Sequence, residues 1–125
     1  MMDAFIACWH AKFTWWTHRP ITAIRAQLDP DFMPLLLTPP FPGYVSGHAT
    51  VSGAASALLA GLFPAQGPRI AALADEAAMS RLYGGIHTRY DNDAGLALGR
   101  AIGARVVEKL QSAGGTAHIA GTGSR

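Results

Sequence analysis

Gly95, Gly99 and Gly103 recur every four residues in the last third of the chain, interleaved with Leu98, Ile102, Val106 and Leu110 at the same spacing. Both series have the period of an α-helix, and a face of glycines lets a second helix approach to backbone distance. In a membrane such a stripe supports dimerisation. Here Arg100, Arg105, Glu108 and Lys109 share the segment, which argues for close packing inside a bundle in water. Composition agrees: half of the 125 residues are hydrophobic, 14% are charged, and Ala and Gly are abundant. That balance favours packed helices over sheets.

Four helical segments follow from periodicity and punctuation. The first spans about Asp3 to Thr17, with Phe5, Trp9, Lys12 and Trp16 at helical spacing and His18-Arg19-Pro20 as its stop. Pro30, Pro34, Pro39, Pro40 and Pro42 then mark a long stretch read as irregular, a length that is often functional. The second helix starts near Ser46 to His48 and ends at Phe63-Pro64, with Val51, Ala55, Leu58 and Leu62 as its expected apolar stripe. Gly67-Pro68 opens the third, with Ile70, Leu73, Ala77 and Ala78 expected to face the core and Asp75 and Glu76 to face water. Gly84-Gly85 breaks the chain, and the fourth helix begins around Asp91 to Asp93, where acids suit a helix N-terminus, and runs to about Leu110. We expect one domain over residues 1–111 and a flexible tail over 112–125.

The bulk properties exclude several functions. A net charge of +2, with eight Arg and two Lys scattered along the chain, is too small an excess for nucleic acid or a lipid surface. The bias to Arg suits a site that grips oxyanions with forked donors. Cys8 is the lone cysteine, so no intrachain disulfide forms, and it reads as a small core residue. The first residues lack the features of a signal peptide, and the longest apolar stretch, Ala54 to Phe63, is far short of the ~20 residues of a membrane span. A soluble chain is expected, with the compartment open.

Polar residues gather at helix ends. Lys12 and Arg19 are seven apart, which on one helix would put both cations on one face. Two such cations repel unless an anion lies between them, although two solvated surface bases would look the same. Gly43 to Thr50 leads small residues into a helix whose free N–H groups form an anion site. There Ser46 can cap and donate, Gly47 permits close backbone approach, and His48 can exchange a proton. Arg81 sits at a helix end before the diglycine turn, and Asp91 lies four residues beyond His87. If that stretch is helical, the carboxylate can fix the imidazole tautomer and free the other nitrogen. Each cluster alone is matched by a plain surface alternative. Together, three cations, helix-terminal donors and two histidines describe a socket for a tetrahedral or trigonal-bipyramidal oxyanion.

Lys12-x6-Arg19-Pro20, Ser46-Gly47-His48 and Ser80-Arg81-x5-His87-x3-Asp91 resemble the three-part signature of the vanadium-dependent haloperoxidase and type 2 phosphatidic acid phosphatase superfamily. Arg19 to Arg25, Thr38-Pro39-Pro40-Phe41-Pro42 and Tyr83 to His87 look most like its soluble bacterial haloperoxidase branch. The resemblance implies an all-α helical bundle. It implies that Lys12, Arg19 and Arg81, with Ser46 and the Gly47 N–H, hold the oxygens of vanadate or phosphate. In a haloperoxidase His87 would ligate vanadium and His48 would be the acid–base group for peroxide, the product being an oxidised halide. In a phosphatase, with no cofactor, His87 would attack the phosphate ester, His48 would protonate the leaving group and Asp91 would orient His87. A non-catalytic remnant is the alternative of another class. Val45 replaces the usual proline before Ser-Gly-His, and His18, read as an exposed helix-end residue, stands where relatives often carry Trp. Related domains place further helices before the Lys-bearing one. We therefore expect the aromatic face of Phe5, Trp9, Phe13, Trp15 and Trp16 to be covered by such helices or by a second copy.

Overall fold

The glycine stripe is the seam of the molecule. A computed structural model describes residues 1–114, and in it Gly95, Gly99 and Gly103 are buried on α5 (Arg89–Ser112) against α3 (Gly47–Leu62). A Cβ at Gly99 would overlap the Thr50 carbonyl and lie 2.8 Å from the Ala54 nitrogen. Facing it, a Cβ at Gly53 of α3 would meet the Leu96 carbonyl at 2.8 Å. The two backbones therefore touch because neither side presents a side chain. Ala49, Ala74, Ala78 and Leu96 fill the small core beside this seam.

α1 (Met2–Trp15) and α4 (Gly67–Tyr83) pack on the α3–α5 pair, and a 3-10 turn at Pro64–Gln66 joins α3 to α4. Among the described residues there is no strand, and no helix is long and apolar enough to cross a membrane. Asn92 ties α5 to α4 by donating to the Ala78 carbonyl at 2.8 Å.

The four expected helices are present, with one addition and several shifted faces. Residues Pro20–Gln27 form α2, within the stretch read as irregular. Pro20 occupies its first turn, as φ allows, and Arg25 donates to the Phe32 carbonyl at 2.9 Å. It is eight residues long, and its apolar pair Ile21 and Ile24 is only half-buried, too short a period to stand out beside the prolines. On α4 Ala78 is buried as expected and Ile70 and Ala77 are half-buried, but Leu73 is 57% exposed and Ala74 takes a core position instead. On α3 the buried residues are Ala49, Thr50, Gly53, Ala54 and Ser56, not the larger stripe of Val51, Ala55, Leu58 and Leu62. On α5 the glycine face is inside, while Leu98, Ile102 and Val106 are half-buried and Leu110 is exposed. Close helix approach selects the small face, and the bulky apolar faces are left outward.

α1 shows the same division. Ala4, Cys8 and Lys12 are buried, while Phe5, Trp9, Phe13, Trp15 and Trp16 are exposed. The exposed rings pack on one another, Trp9 stacked on Phe13 with centroids 5.7 Å apart and Phe13 tilted against Trp16 at 5.4 Å. α5 continues to Ser112, and the rest of the expected tail, 115–125, lies outside the described residues.

Candidate oxyanion-binding site

Lys12 and Arg19 do not share a helix. α1 ends when Trp16 enters the left-handed region at φ 48° and its N–H closes on the Lys12 carbonyl. Arg19, extended at φ −80° and ψ 156°, is the N-cap of α2. The two cations meet because the Pro-rich segment folds back between them. Thr17 anchors that segment: its carbonyl accepts from Gly43 N at 3.1 Å and its hydroxyl from Tyr44 N at 2.8 Å. Lys12 Nζ then donates to the carbonyls of Pro42 at 2.9 Å and Gly43 at 3.0 Å. Arg19 Nε donates to the Phe41 carbonyl at 2.9 Å. The Phe41 ring lies 5.3 Å from Lys12 Nζ and 5.0 Å from Arg19 Cζ, within cation–π range of both.

Both cations are buried, Lys12 to 1% exposure. Among the described residues neither has a carboxylate within ion-pair distance, since the salt bridges there are His87–Asp91 and Arg100–Asp75. Burial pushes the Lys12 amine down to about 8, with the neighbouring Arg19 charge in the same direction and Cys8 and Asp91 opposing. Arg19 is also lowered by burial. Arg19 Nη2 is buried without a hydrogen-bond partner. Buried charge of one sign, with a donor left over, is costly unless an anion occupies the space.

His87 is next to this pair. Arg19 Nη1 donates to the Ile86 carbonyl at 2.8 Å and lies 3.0 Å from His87 Nε2. A guanidinium only donates, so Nε2 must be the accepting nitrogen and Nδ1 must carry the proton. Nδ1 faces Asp91 Oδ2 at 3.1 Å. Burial lowers the His87 basicity, the Asp91 hydrogen bond opposes, and the Arg19 and Lys12 charges add to the lowering. For Asp91, burial pulls upward, but the His87 and Thr88 hydrogen bonds outweigh it and hold the carboxyl below its usual range. A neutral imidazole results, with its Nε2 lone pair turned toward Arg19.

The His87–Asp91 contact forms, though not within a helix. His87 precedes α5, Thr88 is the N-cap and Asp91 is the third residue, which reaches back in a capping box. The expected start at Asp91 is thus two residues late. Thr88 N donates to Asp91 Oδ2 at 3.0 Å, and Asp91 N donates to Thr88 Oγ1 at 3.1 Å.

The third element is the start of α3. Ser46 is its N-cap, fully buried, and its hydroxyl accepts from Ala49 N at 3.4 Å, which leaves the hydroxyl proton free to donate. Its own N–H donates to the Asp91 carbonyl at 2.9 Å and so fixes the α3 start against α5. Gly47 and His48 share a cavity of about 290 Å³ with Lys12, walled by Phe5, Trp9 and Phe41. Arg81, at the end of α4, approaches His48 Nε2 at 3.5 Å. Burial and the Arg81 charge lower the basicity of His48.

Lys12, Arg19, His87 and Asp91 thus form one connected group; Gly47 and His48 share a cavity with Lys12, while Arg19 and His87 line two other cavities, and Arg81 joins through His48. His18 is exposed at the edge. Phe41, Thr17 and Thr88 were not singled out by sequence. Only the Thr-x-x-Asp spacing at Thr88 and Asp91, a capping-box pattern, could have drawn attention to one of them.

The chain resembles proteins already known. A family profile described as the VCPO second helical-bundle domain matches residues 1–66 and 60–115. A solved structure titled as the first bacterial vanadium-dependent iodoperoxidase is 42% identical, with a TM-score of 0.79 over 86% of this chain. The chain spans 30% of that protein's length. No curated protein sequence matches.

Proposed function

The chain belongs to the vanadium haloperoxidase family by its second helical-bundle domain, and from that premise we propose that it binds vanadate and serves peroxide-dependent halide oxidation. The observation that carries this reading is the pair of buried cations, Lys12 and Arg19, with an unpartnered Arg19 Nη2 on the guanidinium whose Nη1 meets the accepting Nε2 of His87. A donor set of cations plus one imidazole fits an anionic oxometalate rather than a bare metal ion. Among the described residues no group of three or more His, Cys, Asp or Glu is gathered as a metal cage.

Lys12, Arg19 and Arg81 would hold and neutralise the anion's oxygens, with the Ser46 hydroxyl and the Gly47 N–H as further donors. His87 would bind through Nε2, its Nδ1 proton held on Asp91. When bound, vanadate supplies the electrophilic centre that activates peroxide toward halide. His48, kept neutral by burial and by Arg81, would accept a proton at its free ring nitrogen and return it later. The same residues suit phosphate-ester hydrolysis through His87, because pentacoordinate vanadate mimics the phosphoryl transition state. The similarity to an iodoperoxidase favours the first reading.

The test assays iodide oxidation with vanadate and peroxide against hydrolysis of p-nitrophenyl phosphate. Turnover should need vanadate and vanish in His87→Ala. Phosphatase activity that vanadate inhibits would replace the peroxidase reading, and unchanged turnover in His87→Ala would remove both.

A further inference from the structure

We propose that Thr88 is a positioning residue for the site, holding Asp91 and through it the orientation of the His87 ring by way of the helix cap. The inference rests on the reading of His87 given above. Asp91 Oδ2 serves two donors, His87 Nδ1 at 3.1 Å and the Thr88 N–H at 3.0 Å. A third bond runs the other way, from Asp91 N to Thr88 Oγ1 at 3.1 Å. The carboxylate is therefore fixed in direction by a reciprocal cap at the start of α5, and His87, the residue before that cap, falls on the oxygen the cap has aimed.

A capping box ordinarily uses its acidic side chain only to cover a backbone N–H. Here Asp91 is buried and uses the same oxygen on the imidazole. A carboxylate held only by the His87 ring could rotate about its side-chain bonds. Held also by Thr88, it presents one oxygen to Nδ1 and thereby leaves the lone pair on Nε2, facing Arg19. Loss of the Thr88 hydroxyl removes half of the box without touching the site's own ligand-binding groups.

The experiment compares Thr88→Val, which keeps the shape and loses the acceptor, with Thr88→Ser, which keeps both the hydroxyl and the cap. The readout is the ¹⁵N spectrum of the imidazoles at one fixed pH, with His87 assigned by comparison with His87→Gln. The unaltered chain and Thr88→Ser should show a His87 Nδ1–H proton protected from exchange with water. In Thr88→Val, Arg19 still keeps Nε2 as the acceptor, but the Nδ1–H signal should broaden through exchange as Asp91 loosens, and turnover should fall about tenfold, as for other residues that orient a ligand. An equally protected Nδ1–H proton in folded Thr88→Val would overturn the proposal. Should Thr88→Val not fold, hydrogen exchange in the unaltered chain decides. Thr88 N–H lies outside the helical ladder and must be protected by Asp91; exchange at the rate of an unstructured peptide would overturn the proposal. A chain without peroxidase or phosphatase activity would defeat the functional reading and leave the Nδ1–H exchange result standing.

Discussion

Lys12→Met separates what the site costs the fold from what it contributes to binding. The amine titrates at about 8 in the folded chain and at 10.5 when free, which corresponds to about 3 kcal/mol against the charged form. Below pH 8 Lys12 is charged in both states and the penalty is present in full. Between pH 8 and 10.5 the folded chain releases its proton while the unfolded chain keeps it, so stability rises by roughly 1.4 kcal/mol per pH unit. Methionine removes the penalty but leaves the Pro42 and Gly43 carbonyls without their donor, at about 1 kcal/mol each. The variant should therefore be more stable by about 1 kcal/mol at pH 7 and less stable by about 2 kcal/mol above pH 10.5. Urea unfolding of both proteins across this range reads the difference, in which groups common to the two cancel. Phosphate should stabilise the unaltered chain, by about 2.7 kcal/mol at a hundred times its dissociation constant, and should do so far less for the variant. A stability difference that stays constant between pH 8 and 10.5, or equal phosphate stabilisation of both proteins, would refute the reasoning.

Gly99→Ala should destabilise the chain by at least about 2 kcal/mol in urea unfolding. A gain of about 1 kcal/mol in helix propensity is outweighed because the new methyl would strike the Thr50 backbone of α3, which cannot give way as a side chain could. Asp91→Asn should lower turnover about 10–100-fold, measured as kcat, by loosening control of the His87 tautomer. The same variant should flatten the acid limb of stability: the carboxyl sits below 3.8 when folded, so its contribution is present above that pH and lost as pH falls through the folded value. Arg100→Ala should change stability by less than about 1 kcal/mol, because its bond to Asp75 at 2.6 Å is exposed on both sides.

The local elements were legible because their signals are local. Glycines at a four-residue period, prolines at element starts and Ser46 at a helix cap each act through nearest neighbours, and α3, α4 and α5 begin within about two residues of expectation. α2 escaped because it spans only eight residues, so Ile21 and Ile24 make too short an apolar period to stand out in a proline-marked stretch. The core escaped in part for the opposite reason. Bulky stripes predict burial only when helices are far enough apart to hold them, and at the α3–α5 seam the glycines bring the backbones together and turn Leu98 and Ile102 to the side.

Sequence by itself determined the candidates, Lys12, Arg19, Ser46, Gly47, His48, Arg81, His87 and Asp91, because cations, histidines and small capping residues gather together at helix ends. Tertiary structure decided how they meet. Seven residues of helix cannot join Lys12 to Arg19 once the chain turns at Trp16; the carbonyls of Phe41, Pro42 and Gly43 do so instead. His87 reaches Asp91 through a cap rather than a helical turn. Burial supplies the rest, since low basicity at Lys12 and His87 comes from exclusion of water, which no residue carries in its own chemistry.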